Sequence, residues 1–461
     1  MESSDKNQEA AEIGLDVAAA EGVGLFRAPA SHTKDEHTLL SRDLKDIASP
    51  EVTILEETYD YPEGGYGWVV VGCCMTFAAL TMGWGVSWGV FQAHYAEHSF
   101  PGQTTTLTII GAMFGVFQNT AAFIFGRIGD KFGFKRILFA SAFVAWLGLF
   151  LASWSTKLWQ IILTQGVLTG IGMGIGQPVY FSLPSQWFHR RRGLASGLAV
   201  GGAGFGGAFG SLIIRALLKA VGVRKTLLIY SFINLILMII ATLLIRTRPN
   251  SPEARAKGKG PWVDKRVWTL LPFHLIALCL LLNTFGYSNV TFFVTQYVNK
   301  IDHPKTDILG ALPLALINLS AGIGRISIGF AADLIGAMNA MILVCLLSSL
   351  FTFTLWLTAT TYARVLAFAV LYGLIAPTYY SLVPMSAAEI FGSENLASNI
   401  GVCLLFTGPG GLGGGLVGGA ILSHTGEWKW TIIYGALVQA VAGVAVLASR
   451  FVLNRKIMIK I

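Results

Sequence analysis

The chain has 461 residues, of which 54% are hydrophobic and only 13% are charged. Soluble domains carry about 25% charged residues, so the composition excludes an ordinary soluble protein and predicts one that uses lipid as a second solvent. The formal net charge of +8 does not indicate nucleic-acid binding, because the basic residues cluster in short segments between apolar runs.

The first sixty residues are polar and acidic and show no signal peptide. They predict a disordered cytoplasmic tail over 1–60, since they hold too little apolar surface to offset the entropy of ordering. Twelve apolar segments follow, each close to the length of about 20 residues that crosses a bilayer. The predicted spans are 68–93, 104–126, 137–155, 158–182, 193–218, 225–246, 267–288, 306–329, 338–358, 363–385, 396–422 and 430–452.

These spans predict an all-α membrane protein of twelve transmembrane helices in two six-helix halves. The halves occupy 61–246 and 267–452. A polar cytoplasmic linker over 247–266 joins them, because its prolines and basic residues cannot form a span. A short cytoplasmic C-terminus over 453–461 completes the predicted organisation.

Three short motifs occur in the same order in both halves. The motif G-x-x-x-D-x-x-G begins at Gly126 and again at Gly329, 203 residues later (329 − 126). The motifs P-x-Y-x-S-L and L-A-S recur at almost the same spacing, beginning at Pro178 and Pro377 and at Leu194 and Leu396. Three ordered matches at one spacing indicate a duplicated six-span half, which is the architecture of major facilitator transporters.

The charges of the short loops predict that both chain ends are cytoplasmic. Arginine and lysine concentrate in the loops after spans 2 and 4, at 127–136 and 190–192, and such loops face the cytoplasm. The loop after span 5, over 219–225, breaks this pattern with three basic residues. We expect a multi-pass protein of the plasma membrane, with the vacuolar membrane as the alternative.

Spans 5 and 11 hold corresponding rows of glycine. Small residues three or four positions apart let helix backbones approach closely in lipid. These rows therefore predict either static helix packing or a surface on which the halves slide. The glycines are Gly197, Gly201, Gly202, Gly206 and Gly210 in span 5 and Gly411, Gly414, Gly415, Gly418 and Gly419 in span 11.

Two signatures resemble those of the monocarboxylate transporter family. The sequence E-G-G-Y-G-W over 63–68 resembles the segment that precedes the family's first span, and W-F-H-R-R-R-G-L-A-S-G over 187–197 resembles its second signature. Gly222-Val223-Arg224 is similar to a Gly-Trp-Arg found after span 5 in relatives. The resemblance is closest to the fungal branch, which includes a riboflavin transporter and many metabolite carriers. It implies a major facilitator fold and a carrier.

The chain departs from the animal lactate carriers at two positions. Those carriers have a lysine in span 1 and an aspartate in span 8, where this chain has Val86 and Ala321. The span 8 arginine of the family is retained as Arg325. The resemblance therefore implies transport, but not proton–lactate symport.

Arg325 is the leading candidate for substrate binding. It precedes Asp333 by eight residues, so at about 1.5 Å per residue it lies roughly 12 Å inside the membrane. A charge at that depth is costly and usually functional, and a guanidinium fits a carboxylate. The alternative is that the side chain reaches the interface or bonds to a neighbouring helix end.

Polar amides and aromatic residues supply further substrate-binding candidates. Asn119, Asn283 and Asn318 lie within spans, where their amides suit a neutral polar or heterocyclic ligand but equally suit bonds between helices. Trp88 and Phe91 share one face of span 1 with Trp84. They predict either helix packing or the wall of a cavity for a flat substrate.

The remaining candidates concern gating and protons. The repeated loop motif predicts a gate formed by a carboxylate at a neighbouring helix N-terminus. The gating candidates are Arg127, Asp130, Lys131 and Asp333. His274 and His94 are candidates for a proton relay, with hydrogen-bonded structural histidines as the alternative.

Nothing in the sequence predicts an enzyme, a cofactor or a metal site. No nucleophile–base pair or phosphate loop appears, and the five cysteines lie in apolar runs without metal-ligand spacing. We expect a secondary or facilitative carrier that works as one chain on a small molecule in the lipid bilayer, its substrate a monocarboxylate or a flat heterocycle. A substrate sensor built on a carrier fold is the alternative, and a channel is disfavoured because no selectivity-filter motif is present.

Overall fold

The computed structural model describes residues 61–248, 267–301, 307–392 and 395–453. The predicted N-terminal tail, most of the predicted linker and nearly all of the predicted C-terminal tail lie outside these ranges. Within them the regular structure is helical. The all-α prediction is therefore confirmed.

Twelve helical segments, labelled α1 to α12, follow one another through the described residues. Several include a short irregular turn. They are α1 Tyr66–His98, α2 Thr104–Phe132, α3 Phe134–Ala152, α4 Leu158–Trp187, α5 192–221, α6 223–244, α7 Leu271–Ile301, α8 Asp307–Ile335, α9 Ala337–Trp356, α10 Tyr362–Phe391, α11 Leu396–Thr425 and α12 Trp428–Leu453.

The segments α5 and α6 form one continuous run, so among the described residues eleven separate helices are long and apolar enough to cross a membrane. The run Arg192–Leu244 has 53 residues, about 80 Å at the rise of an α-helix. This length is more than twice the roughly 30 Å of a bilayer's hydrocarbon core. Gly222 breaks it with φ 75° and ψ 172°, a conformation that favours glycine. The run therefore provides two crossings, as predicted.

Arg224, one of the three basic residues that break the loop-charge pattern, packs on an aromatic ring. Its guanidinium lies 3.8 Å from the ring centre of Trp154, at the end of α3. A cation over an indole face is stabilised by the ring quadrupole. The indole of Trp154 is therefore a local partner for one of the three basic residues that break the loop-charge pattern.

The repeated motif is helical for most of its length, which differs from the sequence prediction. The apolar pattern predicts that spans 2 and 8 end at 126 and 329, but α2 continues to Phe132 and α8 to Ile335. The helices end where Gly133 and Gly336 adopt φ 97° and φ 89°. Hydropathy detects only the part of a helix that lies in hydrocarbon, so it misses turns that carry charge at the interface.

Two ends of the bundle can be distinguished. We call the end at which Asp130 and Asp333 lie the repeat end, and the end with the turn over 99–103 the opposite end. Near the repeat end, one continuous cluster of buried apolar side chains includes residues of both halves. Toward the opposite end, the described residues form separate clusters, one around Trp84 in the first half and one around Trp356 in the second. The halves are thus joined at the repeat end.

Candidate functional site

Glycines bring α5 and α8 into backbone contact between the halves. A Cβ added at Gly193 would meet the carbonyl oxygen of Gly329, and one added at Gly329 would meet that of Gly193. Further along, a Cβ at Gly197 would meet the carbonyl oxygen of Arg325, and one at Gly204 the backbone of Gly322. Part of the span 5 glycine row therefore lies in the contact between the halves.

A second contact, between α2 and α11, mirrors the first. A Cβ at Gly126 would meet the carbonyl oxygen of Ala397, and one at Gly401 that of Ala122. Both contacts occupy the repeat-end part of their helices. The two halves consequently touch along two related helix pairs, each of which excludes larger side chains.

Each half places one carboxylate of the repeated motif on a helix N-terminus of the other half. Asp333 accepts hydrogen bonds from the amides of Gly193 and Leu194, at 2.6 and 2.8 Å, where α5 begins. Asp130 accepts one from the amide of Ser398, at 2.7 Å, where α11 begins. Free amides and the helix dipole both favour a carboxylate there. These bonds hold the halves together at the repeat end.

The other two gating candidates, Arg127 and Lys131, differ in burial and in their contacts. Arg127 is buried, and its Nη1 donates to Oδ1 of Asn395 at 3.0 Å, a further bond between the halves. Lys131 is exposed, and its ammonium lies 5.5 Å from the ring centre of Phe132. Asn395 was not predicted, because an amide just before a span has no distinctive sequence signal.

Arg325 lies buried between the halves, with 5% of its surface exposed. Its Nε donates to the carbonyl oxygen of Pro377 in α10, and its Nη1 to that of Val200 in α5, both at 3.3 Å. Among the described residues, no carboxylate lies within ion-pair distance of it. Arg325 is therefore a buried cation with neutral partners from both halves. The corresponding position in the first half is Ala122 (325 − 203), so this cation has no counterpart there.

Four tyrosines lie within electrostatic range of this guanidinium. They are Tyr180 from α4, Tyr287 from α7, and Tyr379 and Tyr380 from α10. Tyr180 and Tyr379 are fully buried, whereas Tyr287 and Tyr380 are half-buried. Tyr180 and Tyr379 belong to the repeated P-x-Y-x-S-L motif, which indicated duplication but not a role for its tyrosines.

Two of the predicted amides lie at contacts between the halves. A Cβ at Gly408 of α11 would meet Asn119, and one at Gly204 of α5 would approach the main chain of Asn318. The third, Asn283, is fully buried on α7. Neither of its amide atoms has a hydrogen-bond partner among the described residues.

The aromatic candidates of span 1 lie inside the first half. Phe91 is fully buried, 5.0 Å from the ring centre of Trp84. Trp88 is 8% exposed, and a Cβ at Gly111 of α2 would meet its indole. These contacts are those of helix packing and do not place either ring beside Arg325.

Neither histidine candidate lies near Arg325. His274 is exposed in the first turn of α7, where Nδ1 lies 3.0 Å from the carbonyl oxygen of Leu270. His94 is half-buried near the opposite end and stacks on His98 at 4.4 Å between ring centres. In the part of the chain that the structure describes, no three His, Cys, Asp or Glu side chains are grouped to hold a metal ion.

Comparison with known proteins agrees with this architecture. Residues 73–387 match the family model of the Major Facilitator Superfamily. An MFS-type transporter of Gibberella moniliformis is 29% identical over 412 residues, covering 87% of this chain and 95% of the relative. The Agnestins efflux protein AgnL12 of Paecilomyces divaricatus is 29% identical over 397 residues, covering 85% and 89%.

A solved structure shows the same fold. The major facilitator transporter FucP, in the outward conformation, superposes with a TM-score of 0.64 at 14% sequence identity, covering 83% of this chain and 98% of FucP. The family match spans more than half of the sequence, from the first helix into the tenth. The chain therefore belongs to the Major Facilitator Superfamily.

Proposed function

We propose that this protein is a secondary carrier that moves a flat organic anion across a membrane by alternating access of its two halves. The observation that carries the proposal is Arg325, a buried cation between the halves with only neutral partners. Charges inside membrane proteins are costly and mark substrate pathways. The cost falls when an anion joins the guanidinium, which gives the site its selectivity.

The surroundings of Arg325 support a carboxylate on a flat frame. A guanidinium offers paired N–H donors that match the two oxygens of a carboxylate. The half-buried side chains of Tyr287 and Tyr380 lie within electrostatic range of Arg325 and supply aromatic surface in the same region. The resemblance of the 63–68 and 187–197 signatures to monocarboxylate transporters supports the same substrate class.

We also propose that transport is export and that one chain is the working unit. The relative from Paecilomyces divaricatus is named an efflux protein. A single chain carries both halves and the bonds between them at the repeat end. With that end cytoplasmic, the structure corresponds to a state that is closed to the cytoplasm.

The test is uptake into proteoliposomes that contain the purified protein. Benzoate, salicylate and cinnamate are each compared with the corresponding neutral amide, and empty liposomes give the background. We expect saturable uptake of at least one acid and none of its amide. Equal rates for every acid and its amide contradict an anion carrier. Saturable binding without flux identifies the alternative, a substrate sensor.

The proposed orientation predicts the accessibility of the turn between α1 and α2. Gly102 is exposed in this turn at the opposite end. A cysteine introduced there in intact cells should react with a membrane-impermeant maleimide added outside. A cysteine at exposed Lys135, after α2, should react only after permeabilisation. The reverse pattern contradicts cytoplasmic termini.

Asp130→Asn is expected to slow transport more than it weakens substrate binding. The substitution removes the charge that the N-terminus of α11 stabilises, and hydrogen bonds to charged groups contribute about 1.5–3 kcal/mol. We expect the maximal uptake rate to fall roughly tenfold, with benzoate affinity within about twofold of wild type. A loss of affinity with an unchanged rate contradicts the gating role.

We expect weak or absent proton coupling. Among the described residues, Arg325 has no neighbouring carboxylate to carry a proton. Asp130 and Asp333 lie at the repeat end, where main-chain amides hold them. Carrier-dependent benzoate flux in proteoliposomes, corrected for the flux into empty liposomes, should have the same initial rate with and without an imposed pH gradient. Acceleration of this flux by a pH gradient contradicts this expectation and directs attention to His94 and His274.

A further inference from the structure

A cavity lies at the opposite end of the second half. Its volume is about 480 Å³, within the range of roughly 300–1,000 Å³ that small-molecule pockets occupy. It is lined by the end of α7, the residue that follows α9, the turn between α11 and α12, and the first turns of α12. The described lining contains neither Arg325 nor the carbonyl partners of Arg325. This cavity therefore lies outside the proposed substrate site.

Aromatic side chains form one wall of the cavity. Between ring centres, Tyr297 lies 5.4 Å from Trp428 and 5.9 Å from the fully buried Trp356. The hydroxyl of Tyr297 donates to the carbonyl oxygen of Ala359 at 2.9 Å. Because ring contacts and a hydrogen bond both hold Tyr297, this wall is fixed before a ligand arrives.

Three exposed charged residues also line the cavity. They are Lys300 at the end of α7, Glu427 just before α12 and Lys429 in the first turn of α12. Among the described residues, none of the three belongs to a salt bridge. Two cations beside one anion match a ligand that carries both a negative and a positive group. A ligand with only a negative group would leave Glu427 without a partner.

The cavity lies at the boundary between the helices and lipid. Trp430, next to Lys429, is 48% exposed, and exposed tryptophan is typical of the membrane–water interface. The flanking helices expose large apolar side chains at spacings of three and four, which place those of each helix on one face. They are Leu343, Leu346 and Leu350 of α9 and Leu437, Val441 and Val444 of α12. An acyl chain can therefore lie along either helix while its headgroup reaches the cavity.

We propose that this cavity binds the headgroup of a zwitterionic phospholipid. The phosphate lies beside Lys300 and Lys429, since lysine binds phosphate as a point charge, and the ammonium of the lipid lies beside Glu427. The aromatic wall of Tyr297 and Trp428 packs against the short link between the two charges. With the repeat end cytoplasmic, this lipid belongs to the outer leaflet. The inference assigns a ligand other than the transported substrate.

The test is a titration of the purified protein in detergent with short-chain lipids, in which native mass spectrometry gives the dissociation constant. Dihexanoyl phosphatidylethanolamine carries both charges, dihexanoyl phosphatidylglycerol carries only the negative one, and inorganic phosphate lacks the acyl chains. We expect phosphatidylethanolamine to bind more tightly than either of the others. Equal affinities for the two lipids overturn the contact between the ammonium and Glu427. Phosphate that binds as tightly as phosphatidylethanolamine overturns the recognition of a lipid.

Single substitutions assign this binding to the cavity. Glu427→Gln should weaken the binding of phosphatidylethanolamine about threefold, as expected for one exposed ion pair, and should not weaken that of phosphatidylglycerol. Lys429→Gln should weaken the binding of both lipids about threefold. Lys157→Gln is the matched control, because Lys157 is exposed at the same end of the bundle but lies between α3 and α4, outside the cavity. An equal loss of affinity in Lys157→Gln overturns the assignment.

Competition with benzoate distinguishes this cavity from the transport pathway. Benzoate has no positive group to contact Glu427, so excess benzoate should leave phosphatidylethanolamine bound. Displacement of the lipid by benzoate overturns the inference, because it makes the cavity part of the pathway of the anion. Absence of benzoate uptake by the wild-type protein is a different outcome, which removes the proposed carrier function and leaves the lipid site intact.

Discussion

Replacing Arg325 by alanine is expected to abolish benzoate uptake. Removing one partner of a buried, hydrogen-bonded charge pair costs about 2–5 kcal/mol, so affinity for the anion should fall at least about thirtyfold. Arg325→Lys should recover little of it, because an ammonium cannot replace a guanidinium fork. The Arg325→Lys variant would also lose one of the two hydrogen bonds that the guanidinium donates to the carbonyl oxygens of Pro377 and Val200.

The measurement is the initial rate of benzoate uptake in proteoliposomes with equal amounts of folded protein. Arg364→Ala provides the matched control, because Arg364 lies exposed at the start of α10 and its described bonds are to Thr358 and Thr360. That variant should transport normally. Full activity in Arg325→Ala would show that this charge only anchors α8.

Gly329→Val is expected to abolish transport by a different route. A side chain at this position would meet the main chain of Gly193 across the contact between α5 and α8. Backbone cannot move aside as a flexible side chain can, so the halves must separate at the repeat end. The carrier should then be unable to form the state described here, in which Asp333 binds the N-terminus of α5.

Pulsed electron paramagnetic resonance can measure this separation. Spin labels at Arg190 and Leu334, exposed residues of different halves near the repeat end, should lie farther apart in Gly329→Val than in the wild-type protein. Gly72→Val is the control, because no heavy atom lies within 4 Å of a Cβ at that glycine. An unchanged distance and normal uptake in Gly329→Val contradict a closed contact between the halves.

The sequence was sufficient to predict the fold. Apolar length and the duplicated motifs predict twelve crossings, because each crossing must bury about 20 residues in lipid. Helix ends were less accurate, since the charged turns of α2 and α8 lie beyond the hydrocarbon. The break at Gly222 illustrates the same limit: hydropathy separated two spans, although only the backbone shows that one glycine divides them.

Part of the candidate site was also predictable. Arg325 was identified because a charge deep in a span is rare, and Asp130 and Asp333 because their motif is repeated. The amides and aromatic residues were harder to assign. Polarity and spacing do not reveal which face of a helix points between the halves. They therefore do not distinguish Phe91, which packs inside one half, from Asn119, which lies at the contact between the halves.

The tyrosines around Arg325 show what a single sequence leaves out. Tyr180 and Tyr379 stood in a repeated motif, but their pairing with Thr81 and Thr284 joins helices far apart in the chain. Such contacts depend on how α1 packs on α4 and α7 on α10. Tyr287 and Tyr380 are not fixed positions of any repeated motif, so the sequence does not single them out.

The most direct test is the binding of benzoate and benzamide to the purified protein by isothermal titration calorimetry. The two ligands share a ring and nearly the same size but differ in charge. Since Arg325 lacks a carboxylate partner among the described residues, we predict that benzoate binds at least about tenfold more tightly, as expected for one hydrogen-bonded charge. Equal affinities would contradict an anion site at Arg325.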